Sequence, residues 1–115
     1  DLTPAQITAD QNDYAPSGAE WTHFWRLSSD AARTITGISR TNIQSAQGTA
    51  EPNGYRLTIS NVGSQNILLA NQSASSADGN RIITGTGATL TIAADQTVTL
   101  FYDGTSAKWR VQKNA

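Results

Sequence analysis

Apolar and polar residues alternate with a period of two along most of this chain, which is the pattern of half-buried β-strands. The alternation is clearest in YRLTISNV, where Tyr55, Leu57 and Ile59 fall on one face with polar residues between them. Similar short runs, each bounded by Gly, Asn, Asp or Ser, predict strands in HFWRLSS, RTITGIS, YRLTISNV, QNILLAN, RIITG, TLTIA, TVTLFYD and KWRVQ.

These runs predict an all-β domain of about eight short antiparallel strands, in a sandwich, a jelly-roll-like fold or a small barrel. TADQNDYAPSG (8–18) is too polar and too interrupted by turn residues to be core. Residues 1–20 predict an extended N-terminal arm. Residues 21–115 predict a single β-domain, since the 115 residues fit one domain. Long loops are expected at 41–54 and 71–80.

Three strands break the simple alternation by carrying apolar residues on both faces. Phe101 lies opposite the face of Val98, Leu100 and Tyr102, and Phe24 lies opposite Trp25. The run NILLA (66–70) is also apolar on both faces, and Leu68 is its residue on the second face. Because exposed apolar patches usually mark interfaces, either a further layer or a neighbouring subunit is expected to cover this second face. Phe24, Leu68 and Phe101 are therefore the candidate subunit-interface residues.

Composition narrows the classes of function. The formal net charge is −1 and the sequence pI is about 5.6, so nothing indicates binding to nucleic acid or to an anionic membrane. Charged residues make up 15%, against about 25% in an average soluble protein. The chain has no cysteine, which excludes disulfides and thiolate zinc sites. No run approaches the roughly 18 apolar residues of a membrane span.

Motifs that carry chemistry are missing from the sequence. His23 is the single histidine, no G-x-S-x-G is present, and the nine acids are scattered singly. DQND (10–13) lacks the glycine and closing glutamate of a calcium loop, so a polar turn is favoured. GTGATL (85–90) precedes a strand rather than a helix and is expected to be a turn. No catalytic residue, metal site or cofactor is predicted.

Aromatic residues are the remaining candidates for binding. Tyr102 and Trp109 have strand periodicity and face each other across the Asp103-Gly104 turn, which favours core packing. Trp21 follows a loop-like stretch, and Trp25 lies in the first strand. Trp21 and Trp25 are therefore the candidate contacts for a glycan or a partner.

Four phrases in order carry a family resemblance: ITADQNDYAPSG (7–18), LSSDAARTITGI (27–38), NVGSQNILLANQSASSADGNRI (61–82) and VTLFYDGTSAKWRV (98–111). The chain resembles a small β-domain that recurs in bacteriophage virion proteins, particularly near the ends of tail fibres and spikes and in similar particle-surface proteins. The resemblance covers most of the chain and lapses mainly at 41–54. It implies a non-enzymatic structural or attachment module, commonly a homotrimer, and it transfers no catalytic or ligand residue.

Two hypotheses follow. The first is a virion surface component, in a tail fibre, spike or capsid decoration, that assembles as a homotrimer with other virion proteins and has a host-surface glycan as a further partner. The second is a free-standing carbohydrate-binding module of a secreted bacterial protein, which would be extracellular. The first hypothesis is supported by the four ordered phrases and by the strands that are apolar on both faces. The second is supported by the aromatic residues in a neutral, Thr- and Asn-rich β-domain.

Overall fold

The computed structural model describes residues 1–19, 22–41, 43 and 53–112, and eight β-strands form the framework of these residues. Each of the eight predicted runs contains one strand, so the all-β prediction is confirmed. A short 3₁₀ turn, Asp78–Asn80, lies between the fourth and fifth strands. In chain order the strands are β1 (Phe24–Leu27), β2 (Arg33–Ile35), β3 (Arg56–Asn61), β4 (Ile67–Leu69), β5 (Ile82–Ile83), β6 (Leu90–Ile92), β7 (Thr97–Asp103) and β8 (Lys108–Val111).

The strands form a five-stranded sheet of order β1-β3-β7-β8-β5 and a three-stranded sheet of order β2-β4-β6. The pairs β3–β7, β4–β6 and β7–β8 are antiparallel, as expected. The pairs β1–β3, β2–β4 and β5–β8 are parallel, so the antiparallel prediction was wrong for them. Long connections separate each parallel pair in the chain, and a parallel pairing requires such a crossover. Alternation assigns a residue to a face but does not identify the neighbouring strand.

Two segments of the chain, one through β1 and β2 and one through β3 and β4, run parallel to each other through both sheets. Trp25 pairs with Ile59 in the five-stranded sheet and Ile35 pairs with Leu69 in the three-stranded sheet, with the same 34-residue offset. The pass through β6 and β7 then runs back antiparallel against β4 and β3. The same segments therefore contribute a strand to each sheet, and the two sheets share one interior.

The N-terminal arm is extended, and it lies along the edges of both sheets of its own chain. Isolated parallel bridges join Leu2 to Trp25, Ile7 to Ser29, Gln11 to Ile35 and Tyr14 to Ile38. Paired backbone bonds hold these positions, such as Ile7 N–H to Ser28 O at 2.9 Å and Asp30 N–H to Ile7 O at 3.0 Å. The arm thus caps the exposed edges of β1 and β2, which would otherwise present unpaired backbone groups.

The expectation that residues 8–18 contain no core residue was wrong. Tyr14 and Pro16 are buried, as are the flanking Ile7 and Ala19. The Tyr14 ring meets Trp25 edge to face with 5.9 Å between centroids. Single apolar residues separated by polar turns carry no periodic signal, which is why the sequence pattern missed them. Burial also raises the pKa of Tyr14 to about 12.

A polar cluster fastens the arm to the loop at 71–80. The Asp13 carboxylate accepts hydrogen bonds from the Ala77 N–H and the Asn80 amide, both at 2.8 Å. The Ser76 hydroxyl contacts the Asp13 N–H at 2.9 Å and the Thr36 hydroxyl at 2.8 Å. The hydrogen bond from Asn80 lowers the pKa of Asp13. DQND is therefore a structural turn whose acids are used as acceptors.

The interior contains the large aromatic side chains at its centre. Trp25, Tyr102 and Trp109 have no exposed surface, and Trp109 packs edge to face on Tyr102 at 5.1 Å. The Trp109 indole N–H donates to Ile38 O at 2.9 Å, and the Tyr102 hydroxyl donates to Gly79 O at 2.8 Å. The prediction that Tyr102 and Trp109 are core residues is confirmed.

Candidate functional site

The outward side of the five-stranded sheet is the most distinctive surface among the described residues. Its side chains alternate with buried ones along the strands, and we call it the arginine face. It comprises Phe24 and Arg26 of β1, Arg56, Thr58 and Ser60 of β3, Ile83 of β5, Thr97, Thr99, Phe101 and Asp103 of β7, and Lys108 and Arg110 of β8.

One row of the arginine face places an aromatic ring between two guanidinium side chains. Phe101 pairs with Arg56 on one side and with Arg110 on the other. The Arg56 guanidinium carbon lies 6.0 Å from the centre of the Phe101 ring, within the range of a cation–π contact. Arg56 also donates through Nη1 to Gln112 Oε1 at 2.8 Å. Two contacts therefore hold the Arg56 fork, while most of its five N–H donors are left to other acceptors.

The neighbouring rows carry hydroxyl groups that are cross-linked between strands. Thr58 and Thr99 form a hydroxyl–hydroxyl bond at 3.1 Å, and Thr97 donates to Ser60 at 2.9 Å. Phe24 lies at the edge of the row that contains Thr58 and Thr99, and it is 36% exposed. These hydroxyl pairs thus form an uncharged area on β3 and β7, with Phe24 on the edge strand β1 and Phe101 in the next row of the central strand β7.

Charge on the arginine face is only partly compensated. Arg110 pairs with Asp103 at 2.8 Å, and Lys108 pairs with Asp78 at 3.2 Å. Arg110, with help from the Ser106 hydroxyl, lowers the pKa of the Asp103 carboxyl to about 2. Arg26 and Arg56 form no ion pair within the residues the structure describes. A chain of net charge −1 therefore has a locally positive surface.

The outward side of the three-stranded sheet is chemically different. Its central row runs from Thr34 through Leu68 to Thr91, and we call it the neutral face. Leu68 is half-buried between the two threonines. Asp10 of the arm borders this face and accepts a hydrogen bond from the Thr34 N–H at 2.9 Å. None of the three residues in the row is charged.

The candidate interface residues therefore divide between two surfaces. Phe24 and the half-buried Phe101 share the arginine face, whereas Leu68 lies on the neutral face. A single flat patch cannot hold all three. Parity along each strand correctly placed each of them outward, but it could not show that they belong to different sheets.

Of the two candidate glycan contacts, the structure describes only Trp25. Trp25 is wholly buried beside Tyr14, so its assignment as a surface contact was wrong. The parity that made Phe24 outward required Trp25 to be inward. Trp21 lies outside the described residues. His23 is exposed, stacks on Tyr55 at 4.4 Å and contacts Arg56 O through Nδ1 at 2.9 Å, which is a structural arrangement.

A groove of about 350 Å³ adjoins the arginine face. Its apolar residues are Leu90, Val98 and Val111, and its polar residues include Thr84, Thr99 and Gln112. Gln112 also accepts a hydrogen bond from Arg56, which does not line the groove itself but is joined to it through this lining residue. These residues come from β6, β7, β8 and the loop after β5, and no sequence spacing could have grouped them. A second cavity of about 300 Å³ is lined by arm residues without a charged side chain.

Comparison with protein-family models, with curated proteins and with solved structures finds no match for this chain. Across the described residues, His, Asp and Glu nowhere gather in a group of three or more that could hold a metal ion. No helix in the same part of the chain has the length and apolar character needed to cross a membrane. What can be inferred about function therefore depends on the two outer faces and the groove.

Proposed function

We propose that this chain is a non-enzymatic structural and attachment module of a bacteriophage particle surface, in a tail fibre, spike or capsid decoration, and that it works as a homotrimer. The resemblance of its four ordered phrases supports the phage assignment. The observation that carries the proposal is the contrast between a neutral outer face on one sheet and a positively charged outer face on the other.

The neutral face is the better subunit contact. Interface centres are depleted of charged residues, and Leu68 between Thr34 and Thr91 fits that composition. Burial of Arg26 and Arg56 against a neutral surface would remove two unpaired cations from water, which costs several kcal/mol for each ion. We therefore retain Leu68 as a subunit contact and assign Phe24 and Phe101 to the outward, attaching surface.

A three-fold ring needs a heterologous contact, in which one surface meets a different surface of the next copy. The row of Thr34, Leu68 and Thr91 would form one side of that contact. The arginine face would then remain accessible for other virion proteins or for the host surface. A free-standing carbohydrate-binding module that uses Trp25 lacks its stacking platform, because that ring is buried.

Sedimentation velocity of the purified chain at micromolar concentration tests the proposal. We expect a species of three times the 12.2 kDa subunit mass. Leu68→Asp should sediment as a single folded subunit, because a buried carboxylate without a partner opposes association. Phe101→Ser is the matched control and should remain trimeric. A folded wild-type monomer, or dissociation by Phe101→Ser alone, would contradict the proposal.

A further inference from the structure

We propose that the groove beside Arg56 binds an acidic sugar residue of a carboxylated polysaccharide, with Arg56 as the group that holds the carboxylate. This inference rests on the proposed attachment function and names the ligand of the arginine face. The juxtaposition that carries it is an amphipathic groove of about 350 Å³ whose lining residue Gln112 is hydrogen-bonded to the Arg56 guanidinium. A volume of this size falls within the range of small-ligand sites.

The groove has apolar groups that suit the C–H face of a pyranose ring and polar groups that suit its hydroxyls. Leu90, Val98 and Val111 offer an apolar surface for the C–H face of a sugar. Thr97 and Thr99 offer hydroxyl groups at the boundary with the arginine face. Because Thr97 donates its proton to Ser60, its own oxygen is left to accept a hydrogen bond from a sugar hydroxyl.

Arg56 matches the charge of the ligand. Its planar fork can donate two parallel hydrogen bonds to a carboxylate, a geometry that lysine cannot reproduce. Gln112 and the Phe101 ring hold the side chain in place before a ligand arrives, which reduces the entropy lost on binding. Arg26 supplies a second unpaired cation two rows away on the neighbouring strand β1, where a further acidic residue of the polymer would pass.

The observations favour a carboxylated polysaccharide over a nucleic acid. A nucleic-acid site typically neutralises several closely spaced phosphates, whereas Arg26 and Arg56 are the two unpaired cations described on this face. The net charge of −1 also gives no long-range attraction for a densely charged polyanion. Hydroxyl rows and an apolar groove suit a polymer with sparse charge and many hydroxyl groups.

Isothermal titration of the full chain with polygalacturonate tests this inference, with dextran as the neutral polymer and oligo(dT) as the phosphate polymer. We expect salt-dependent binding of polygalacturonate and none of dextran. Arg56→Gln should weaken binding about tenfold or more, as for loss of a hydrogen bond to a charged group. The affinity of Arg56→Lys should lie between those of the wild type and Arg56→Gln. Arg33→Gln removes a half-exposed arginine that pairs with Asp30 away from the groove, and this variant should bind polygalacturonate as the wild type does.

No binding of polygalacturonate, equal binding of dextran, or tighter binding of oligo(dT) would each overturn the inference. So would an equal loss of binding in Arg33→Gln and Arg56→Gln, because that result indicates nonspecific charge attraction. The Leu68→Asp chain separates this inference from the proposed assembly. It should bind polygalacturonate with the per-subunit affinity of the wild type even though it does not form trimers.

Discussion

Both sheets bury apolar side chains on their inner sides, but their outer sides differ chemically. Inside, Leu57 and Leu100 of one sheet and Ile67 and Leu69 of the other are all fully buried. Outside, the five-stranded sheet carries arginines, phenylalanines and cross-linked hydroxyls, whereas the three-stranded sheet carries a leucine between two threonines. Folding requires only the inner pattern. The outer sides are therefore the surfaces whose composition can differ according to the partner that each one contacts.

The largest expected effect on stability distinguishes a core residue of β1 from its neighbour on the arginine face. Trp25→Ala should reduce the free energy of unfolding by about 3–5 kcal/mol, because it leaves a large cavity in the core. Phe24→Ala, next in sequence but outward, should cost under about 1 kcal/mol. Urea denaturation of the two variants measures this. Equal losses would mean that Phe24 is also core and that the face is misassigned.

A smaller effect should distinguish the hydroxyls of the two faces. Thr58→Val removes the bond to Thr99 while keeping the branched shape, and we expect a loss of about 0.5–1.5 kcal/mol. Thr91→Val changes an exposed threonine of the neutral face and should be close to silent. Thermal unfolding of both variants provides the comparison. A silent Thr58→Val would show that the hydroxyl rows do not help to hold the arginine face together.

The smallest effect concerns the acid-pH dependence of stability that comes from an ion pair on the arginine face. The folded-state pKa of Asp103 lies below its ordinary value of 3.8, at about 2, chiefly because Arg110 pairs with it. Its stabilising contribution is therefore fully present above pH 3.8 and is lost as the pH falls through about 2. Asp103→Asn should flatten the dependence of unfolding on pH in this window. A carboxyl midpoint near 3.8 in an NMR titration would contradict the pairing.

Strand positions and side-chain faces could be predicted from the sequence because both are local. Alternation placed Leu57, Tyr102 and Trp109 inward and Phe101 outward, as the structure has them. Strand neighbours could not be predicted in this way. The parallel pairing of β1 with β3 spans 34 residues and leaves no trace in the periodicity of either strand.

The site was less accessible to sequence reasoning than the fold. Arg56 and Gln112 are 56 positions apart, and only the pairing of β3, β7 and β8 brings them into hydrogen-bonding contact. Trp25 attracted a binding role because tryptophan is common in sugar sites, although its own strand parity with Leu27 pointed inward. Residue type suggested a function that position excludes.

Hydroxyl-radical footprinting of the assembled chain tests most directly whether the two faces serve different partners, because Leu68, Phe24 and Phe101 each give a separate labelling rate. The chain is labelled at high dilution, at micromolar concentration, and at micromolar concentration with polygalacturonate. We predict that assembly protects Leu68 and leaves Phe24 and Phe101 reactive, and that polygalacturonate then protects Phe101. Protection of Phe24 and Phe101 on assembly with no change at Leu68 would contradict the division between the faces.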